Sequence, residues 1–231
     1  MTAPFQGQVT LDGPSGTGKS SVARMVATRL GAAYLDTGAM YRAATVAVLD
    51  AGVELEDAGA VERTVAAADI RVGTSADTET VTVDGVDVAT RIRGGEVTRA
   101  VSPVSAVPAV RRLLVDRQRS LVADAHAVVV EGRDIGTVVL PDATVKVYLT
   151  AAPEARAQRR AGQLGVTDAG EVAALAADLR RRDEYGSSRA DSPLRPAQDA
   201  IVVDSTDLDR DAVVEAVVEL ALQAARAGER T

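Results

Sequence analysis

Short apolar runs punctuate the chain at Gln8 to Leu11, Ala33 to Leu35, Ala127 to Val130, Thr144 to Thr150 and Ala200 to Val203. Each is too short for a buried helix, and each is followed by a loop or by helical spacing, as expected of strands covered on both faces of a parallel sheet. Between them the polar and apolar positions predict helices over Lys19 to Leu30, Ala39 to Ala51, Val107 to Ala123, Pro153 to Ala161, Glu171 to Arg182 and Asp209 to Ala225. Strands alternating with helices predict an α/β fold built on a doubly wound, five-stranded parallel sheet. One region breaks the alternation. Ile70 to Val72, Thr80 to Val83 and Val86 to Val88 are short β-prone pieces, the last two joined by Asp84-Gly85, which predicts a hairpin and a small antiparallel insertion. A second irregular patch, Gly162 to Gly170, carries three glycines between two arginine-bearing helices and predicts a short mobile lid.

The length of 231 residues suits one domain with insertions, and 46% hydrophobic with 26% charged residues excludes disordered, collagenous and membrane classes. Aromatic residues make up only 2%, with no Trp, so the chain lacks the stacking platforms of a nucleic-acid binder. A net charge of −7 gives no global pull on polyanions, and a phosphate ligand must be held by local positive groups. Of the 26 basic residues only positions 19 and 146 are lysine; the rest are arginines, suited to forked recognition of phosphate oxygens. The absence of cysteine excludes disulfides and thiolate metal sites and is compatible with a reducing compartment. No stretch approaches ~20 apolar residues and the N-terminus has no export pattern, so the expectation is a cytoplasmic protein without a membrane partner. The single histidine, His126, reads as a surface or strand-edge residue.

The chemistry concentrates after the first strand. Gly13-Pro14-Ser15-Gly16-Thr17-Gly18-Lys19-Ser20 fits G-x-x-x-x-G-K-[ST] between a predicted strand and a predicted helix, the context a phosphate loop requires. Its glycines let successive N–H groups turn toward a phosphate, the helix start adds partial positive charge, Lys19 neutralises β- and γ-oxygens, and Ser20 completes a magnesium shell. The chain has no asparagine and hence no guanine-reading Asn-Lys-x-Asp motif. Val128-Val129-Val130-Glu131 could serve a mechanical ATPase, but Gly132-Arg133-Asp134 follows at once and points to a second ligand. Asp36-Thr37-Gly38 and Glu131-Gly132-Arg133-Asp134 both leave predicted strands at their C-terminal ends, where open α/β sheets bind ligands, which draws attention to Arg42 and Arg133.

These motifs resemble the bacterial cytidylate kinases. The resemblance rests on Asp12 to Lys19, on Asp36-Thr37-Gly38-Ala39-Met40-Tyr41-Arg42, on the run Glu131 to Ala143, and on Arg181-Arg182-Asp183 with Arg189 further on. They occur in order across nearly the whole chain, and the second and third together are highly specific. The resemblance implies a P-loop kinase fold with a core at 1–36, 113–155 and 171–231, a monophosphate-binding α+β insertion at 37–112 and a lid at 156–170. It implies transfer of a phosphoryl group from MgATP to CMP or dCMP, with UMP a poorer acceptor, by a monomer. Gly13, Pro14, Ser15, Gly16, Thr17, Gly18, Lys19, Ser20, Ser21 and Arg159 would bind ATP, with Ser20 toward the metal. Arg42 and Arg133 would grip the acceptor phosphate; Thr37, Arg111, Asp134 and Arg189 would line the cytosine pocket; Ser102 and Arg182 would approach the ribose. Lys19, Arg133, Arg156 and Arg160 would act on the transferring phosphate.

Elementary chemistry is consistent with this. A nucleoside monophosphate has a second pKa near ~6, so its phosphate is already an anionic nucleophile at neutral pH and needs little help from a base. The task is to hold two polyanions together, which Lys19, magnesium, arginines and exclusion of water perform. A carboxylate such as Asp134 can accept from the exocyclic amine of cytosine and repels the oxygen of uracil; it could instead be a structural partner of Arg133 or Arg111. The chain departs from the family pattern at Gly186, where a ribose-contacting aspartate is usual. That leaves two rivals: a P-loop kinase with another small acceptor, and an ATP-binding regulator without turnover.

Overall fold

The first apolar run forms β1 (Gly7–Asp12), and the glycine-rich loop after it feeds α1 (Lys19–Leu30) and then β2 (Ala33–Asp36). α1 ends where Gly31 adopts the left-handed conformation and turns its N–H back onto Ala27 and Thr28 carbonyls, a glycine C-cap. In the computed structural model, which describes residues 5–188 and 192–228, two compact units emerge: Met1–Tyr34 with His126–Thr231, and Leu35–Ala125.

The second unit is an excursion of the chain through α2 (Thr37–Asp50), α3 (Ala58–Ala67), β3 (Ile70–Val72), β4 (Val81–Val83), β5 (Val86–Asp87), α4 (Gly95–Ala106) and α5 (Pro108–Val122). Asp36 and Asp57 cap α2 and α3, each accepting an N–H three residues on at 2.9 Å. β3, β4 and β5 form the expected small antiparallel sheet; Asp84 and Gly85 both take positive φ, 51° and 80°, as a tight hairpin turn demands. Its core gathers Met40, Val46, Val48, Val61, Val65, Val81, Ile92, Val104 and Leu114, all enclosed.

The chain then returns through β6 (Ala127–Glu131), a π-helical turn at Ile135–Val139, β7 (Val145–Thr150), α6 (Pro153–Leu164), α7 (Ala169–Ser187), β8 (Ile201–Asp204) and α8 (Arg210–Gly228). The sheet order is β2-β6-β1-β7-β8, with β1 parallel to β6 and β7, and β7 parallel to β8. Val9, Leu11, Val128, Val129, Val130 and Leu149 are sealed from solvent, which is why their strands read as unbroken apolar runs. Burial of each such side chain is worth about 1.5–3 kcal/mol. α8 packs on α1, and its Val213, Val214, Val217 and Ala221 are buried. The irregular patch expected at 162–170 is largely helical: α6 runs to Leu164, Gly165 caps it in the left-handed conformation, and Asp168 caps α7. His126 is exposed just before β6, and its carbonyl accepts Gly7 N–H at 2.8 Å.

Candidate active site

The loop between β1 and α1 is shaped by close backbone approach. Gly13 has φ 145°, and a Cβ there would stand 2.1 Å from the Leu149 carbonyl oxygen; Gly18, at φ 90°, is the N-cap of α1 and brings no side chain to its free amides. Those amides remain available to an anion. Lys19 folds over the loop, its Nζ donating to the Pro14 carbonyl at 2.6 Å and to Thr17 Oγ1 at 3.5 Å. Removal from water lowers the Lys19 ammonium to about 8 even though Glu131 attracts it; Arg133 lowers it further, while Asp12 and Asp183 oppose.

Three predicted arginines meet this loop. Arg133 donates to Ser15 Oγ and, at 3.3 Å, to the Arg182 carbonyl. Arg156, itself buried, donates to the Ser15 carbonyl at 3.1 Å and forms an ion pair with Asp183, which in turn accepts Ser15 N–H at 3.2 Å. Arg159 donates to the Thr17 carbonyl at 3.4 Å, to Ser205 Oγ at 3.0 Å and to the Ser205 carbonyl. Arg160 instead donates to Gln163 of its own helix at 3.2 Å, and Ser21 lies exposed on α1. Gly186 is buried; a Cβ there would sit 3.0 Å from Arg133 Nη1 and 3.6 Å from Leu194 Cβ, so the missing side chain's place borders a guanidinium.

At the end of β6, Ser20 Oγ donates to Glu131 Oε2 at 3.0 Å and Tyr34 donates its hydroxyl to Glu131 Oε1, with Arg24 stacked 4.7 Å above the Tyr34 ring. A hydroxyl and a carboxylate side by side are hard oxygen donors, a set that fits magnesium. Beyond Glu131, Asp134 is buried at the head of the π-helical turn. The turn's first amides, Ile135 and Gly136, donate to the two oxygens of Asp12 at 2.8 and 2.7 Å. Burial raises Asp12 to about 6, the two amides pull it down, Asp134 pushes it up and Lys19 lowers it. Asp12, Asp183 and Tyr34 join the loop's surroundings without having been named as site residues, because their partners lie far away in sequence; Glu131 is signalled by its place at the end of a predicted strand but carries no site role there.

In the second unit Thr37 is buried at the first position of α2, and the Arg42 guanidinium lies over Gly38, where a Cβ would stand 3.1 Å from Nη1. Arg111 is buried on α5, its guanidinium 5.4 Å from the centre of the Tyr41 ring and donating to the Ser105 carbonyl at 3.3 Å. Ser102 is half-buried on α4, its carbonyl accepting the Ser105 hydroxyl at 3.0 Å. Thr37, Arg42 and Arg111 thus sit on the two helices α2 and α5 that flank this unit's core. Arg189 lies outside the described residues.

A parallel sheet in this strand order, with a Gly-Lys-Ser phosphate loop feeding the helix after β1, defines a P-loop kinase. A gluconokinase from Sinorhizobium meliloti shares the fold with a TM-score of 0.53 at 15% identity, over 97% of this chain and 96% of that one. The sequence model of the cytidylate kinase family matches residues 9–223, and cytidylate kinases of Nocardia farcinica and Rhodococcus opacus are 56% and 58% identical over 93% and 89% of this chain and 93% and 90% of theirs. The chain belongs to the cytidylate kinase family, and it is an ATP-dependent kinase. Among the described residues no helix is long and apolar enough to cross a membrane.

Proposed function

We propose that the chain transfers the γ-phosphate of ATP to CMP or dCMP, giving CDP or dCDP, with UMP a poorer acceptor, as a cytoplasmic monomer. The observation that carries the reading is the gathering of Lys19, Arg133, Arg156 and Arg159 about one phosphate loop in a chain whose relatives, at over 50% identity, are cytidylate kinases. Phosphoryl transfer asks mostly for positioning and charge compensation, and this side-chain set supplies both. The loop amides and Lys19 would hold the β- and γ-phosphates, and Arg133 and Arg42 the acceptor phosphate. Arg156 and Arg160 would steady the phosphoryl group in flight. Thr37, Arg111, Asp134 and Arg189 would select the base, and Ser102 and Arg182 would meet the sugar. Ser20 would hold magnesium, which when bound withdraws charge from the phosphate oxygens.

The direct test is a coupled assay of ADP release over CMP, dCMP, UMP, AMP, GMP and shikimate. Turnover fastest on CMP and dCMP, with UMP slower, is the expected result. Preference for another acceptor would move the chain to a different kinase specificity. Nucleotide binding without turnover on any of the six would favour the regulator reading that Gly186 invites.

A further inference from the structure

One side chain with no assigned chemistry ties the Arg133–Asp134 segment to the phosphate loop. Asp12 closes β1 immediately before Gly13. Its carboxylate is buried and both oxygens are used, Oδ1 by Ile135 N–H at 2.8 Å and Oδ2 by Gly136 N–H at 2.7 Å. A helical turn ordinarily draws such bonds from the side chain at its own N-cap. Here they come from a different strand. Two further bonds run alongside: Gly132 N–H to the Leu11 carbonyl at 3.0 Å, and Arg133 to Ser15 Oγ. Residues 132–136 therefore hang from the end of β1 and the start of the loop.

We infer that Asp12 is a positioning residue for phosphoryl transfer, its carboxylate fixing the spacing between the phosphate loop and the turn that carries Arg133 and Asp134. The inference rests on the reading of Arg133 and Asp134 as acceptor-nucleotide contacts. The choice of an anion supports it. Closing a turn needs only a neutral acceptor, yet this position keeps a carboxylate against the opposition of burial and of Asp134, with Lys19 assisting and Tyr148, its neighbour in register on β7, also facing it. A carboxylate offers two equivalent acceptors, and charge-assisted bonds are about twice as strong as neutral ones. That combination sets a distance rather than merely filling a gap.

Asp12→Asn keeps the shape but leaves one acceptor oxygen and turns an NH2 toward the second amide. The experiment measures kcat and KM for CMP and UMP, and equilibrium binding of ATP, in wild type and variant. Expected are a kcat/KM for CMP reduced about 30-fold or more, a narrowed preference for CMP over UMP, and ATP binding changed by less than about threefold. An unchanged kcat/KM for CMP overturns the inference. So does an ATP-binding loss as large as the CMP loss, which would make Asp12 a residue that merely folds the loop. If the wild type itself turns over no pyrimidine monophosphate, the functional reading fails instead, before any variant is compared. A second measurement needs no substitution: in the wild type, the backbone amide resonances of Ile135 and Gly136 should titrate together with a midpoint near the Asp12 value of about 6. Resonances that stay flat through that range overturn the proposed coupling.

Discussion

The two ends of the central sheet treat buried charge in opposite ways. At the start of β7, Lys146 is buried and fully matched: its ammonium donates to both oxygens of Asp199, at 3.0 and 2.8 Å, and to the Pro141 carbonyl. Those bonds hold Asp199 below the usual carboxylate range. At the opposite end, after β1, the other lysine of the chain faces carbonyl and hydroxyl oxygens and is lowered to about 8, while Asp12 beside it is raised to about 6. The ammonium at the amino ends of the strands is thus met by a carboxylate and a carbonyl, and the one at their carboxyl ends by a carbonyl and a hydroxyl. Perturbed titration gathers where a fold is arranged for a ligand, and in open α/β sheets that is the carboxyl end. Structural pairing closes one end, and the other is the end where the proposed function places phosphate.

Exchanging each lysine for an uncharged side chain is the sharpest way to break the comparison. Lys19→Met should lower kcat for CMP phosphorylation by about 10³-fold, because the cation proposed to meet the transferring phosphate is lost. A decline of less than about tenfold would remove Lys19 from that role. A smaller effect should come from pH. Above about 6 the Asp12 carboxylate is charged and accepts two N–H bonds; below that it takes up a proton and loses one acceptor. Protonation of Asp12 should therefore lower activity on the acid side by roughly tenfold per pH unit at most, on top of the limb from the second ionisation of the acceptor phosphate. In Asp12→Asn only the substrate's limb should remain.

Stability should move the other way. Asp12 titrates higher in the folded chain than at its ordinary 3.8, so the fold binds the proton more tightly than the unfolded chain does. This group's contribution favours folding below about pH 4 and is lost as pH rises through 6, a swing on the order of 3 kcal/mol. Denaturant titrations of wild type and Asp12→Asn across that window check the sign.

Gly186→Asp should act more gently, lowering KM for CMP by about threefold, since the new carboxylate enters beside the Arg133 guanidinium. An unchanged KM and kcat would mean another group already fills the place, and the nearby Asp183 is instead committed to Arg156 and Ser15. Smallest of all for turnover, Lys146→Met should leave kcat/KM within about twofold while reducing the melting temperature: Met keeps an aliphatic stem beside Gly136, and what is lost is the ammonium bonded to Asp199 and the Pro141 carbonyl.

The inner strands β1, β6 and β7 were legible because their apolar residues are buried, and the hairpin because Asp84-Gly85 has the residues its positive φ angles require; β8, expected to be covered on both faces, instead leaves Ile201 and Val202 exposed at the sheet edge. α3 and α4 were not. Gly59 lies within the first, while Gly94 caps and Gly95 opens the second, with Pro103 inside it, so their helical spacing is masked by residues that ordinarily mark turns. Within 162–170 the glycines do not break the helices as their spacing suggests, since Gly165 caps α6 and Gly170 lies inside α7. Lys19 could be chosen from motif spacing and Arg133 from its strand end, whereas Arg156 and Arg159 came only from the family resemblance. Asp12 could not be given a role, because its partners at 135 and 136 are joined to it only by the folding of β1 beside β6.

Gly13 carries a lesson about signatures. With a Leu149 oxygen 2.1 Å from where its side chain would begin, this residue must be bare so that strands β1 and β7 can close, whether or not a nucleotide ever arrives. Part of the fingerprint that advertises a substrate is therefore masonry. A descendant of this chain that had abandoned its reaction would still display that first letter, and the last two letters, Lys19 and Ser20, are where a change of trade would first be written.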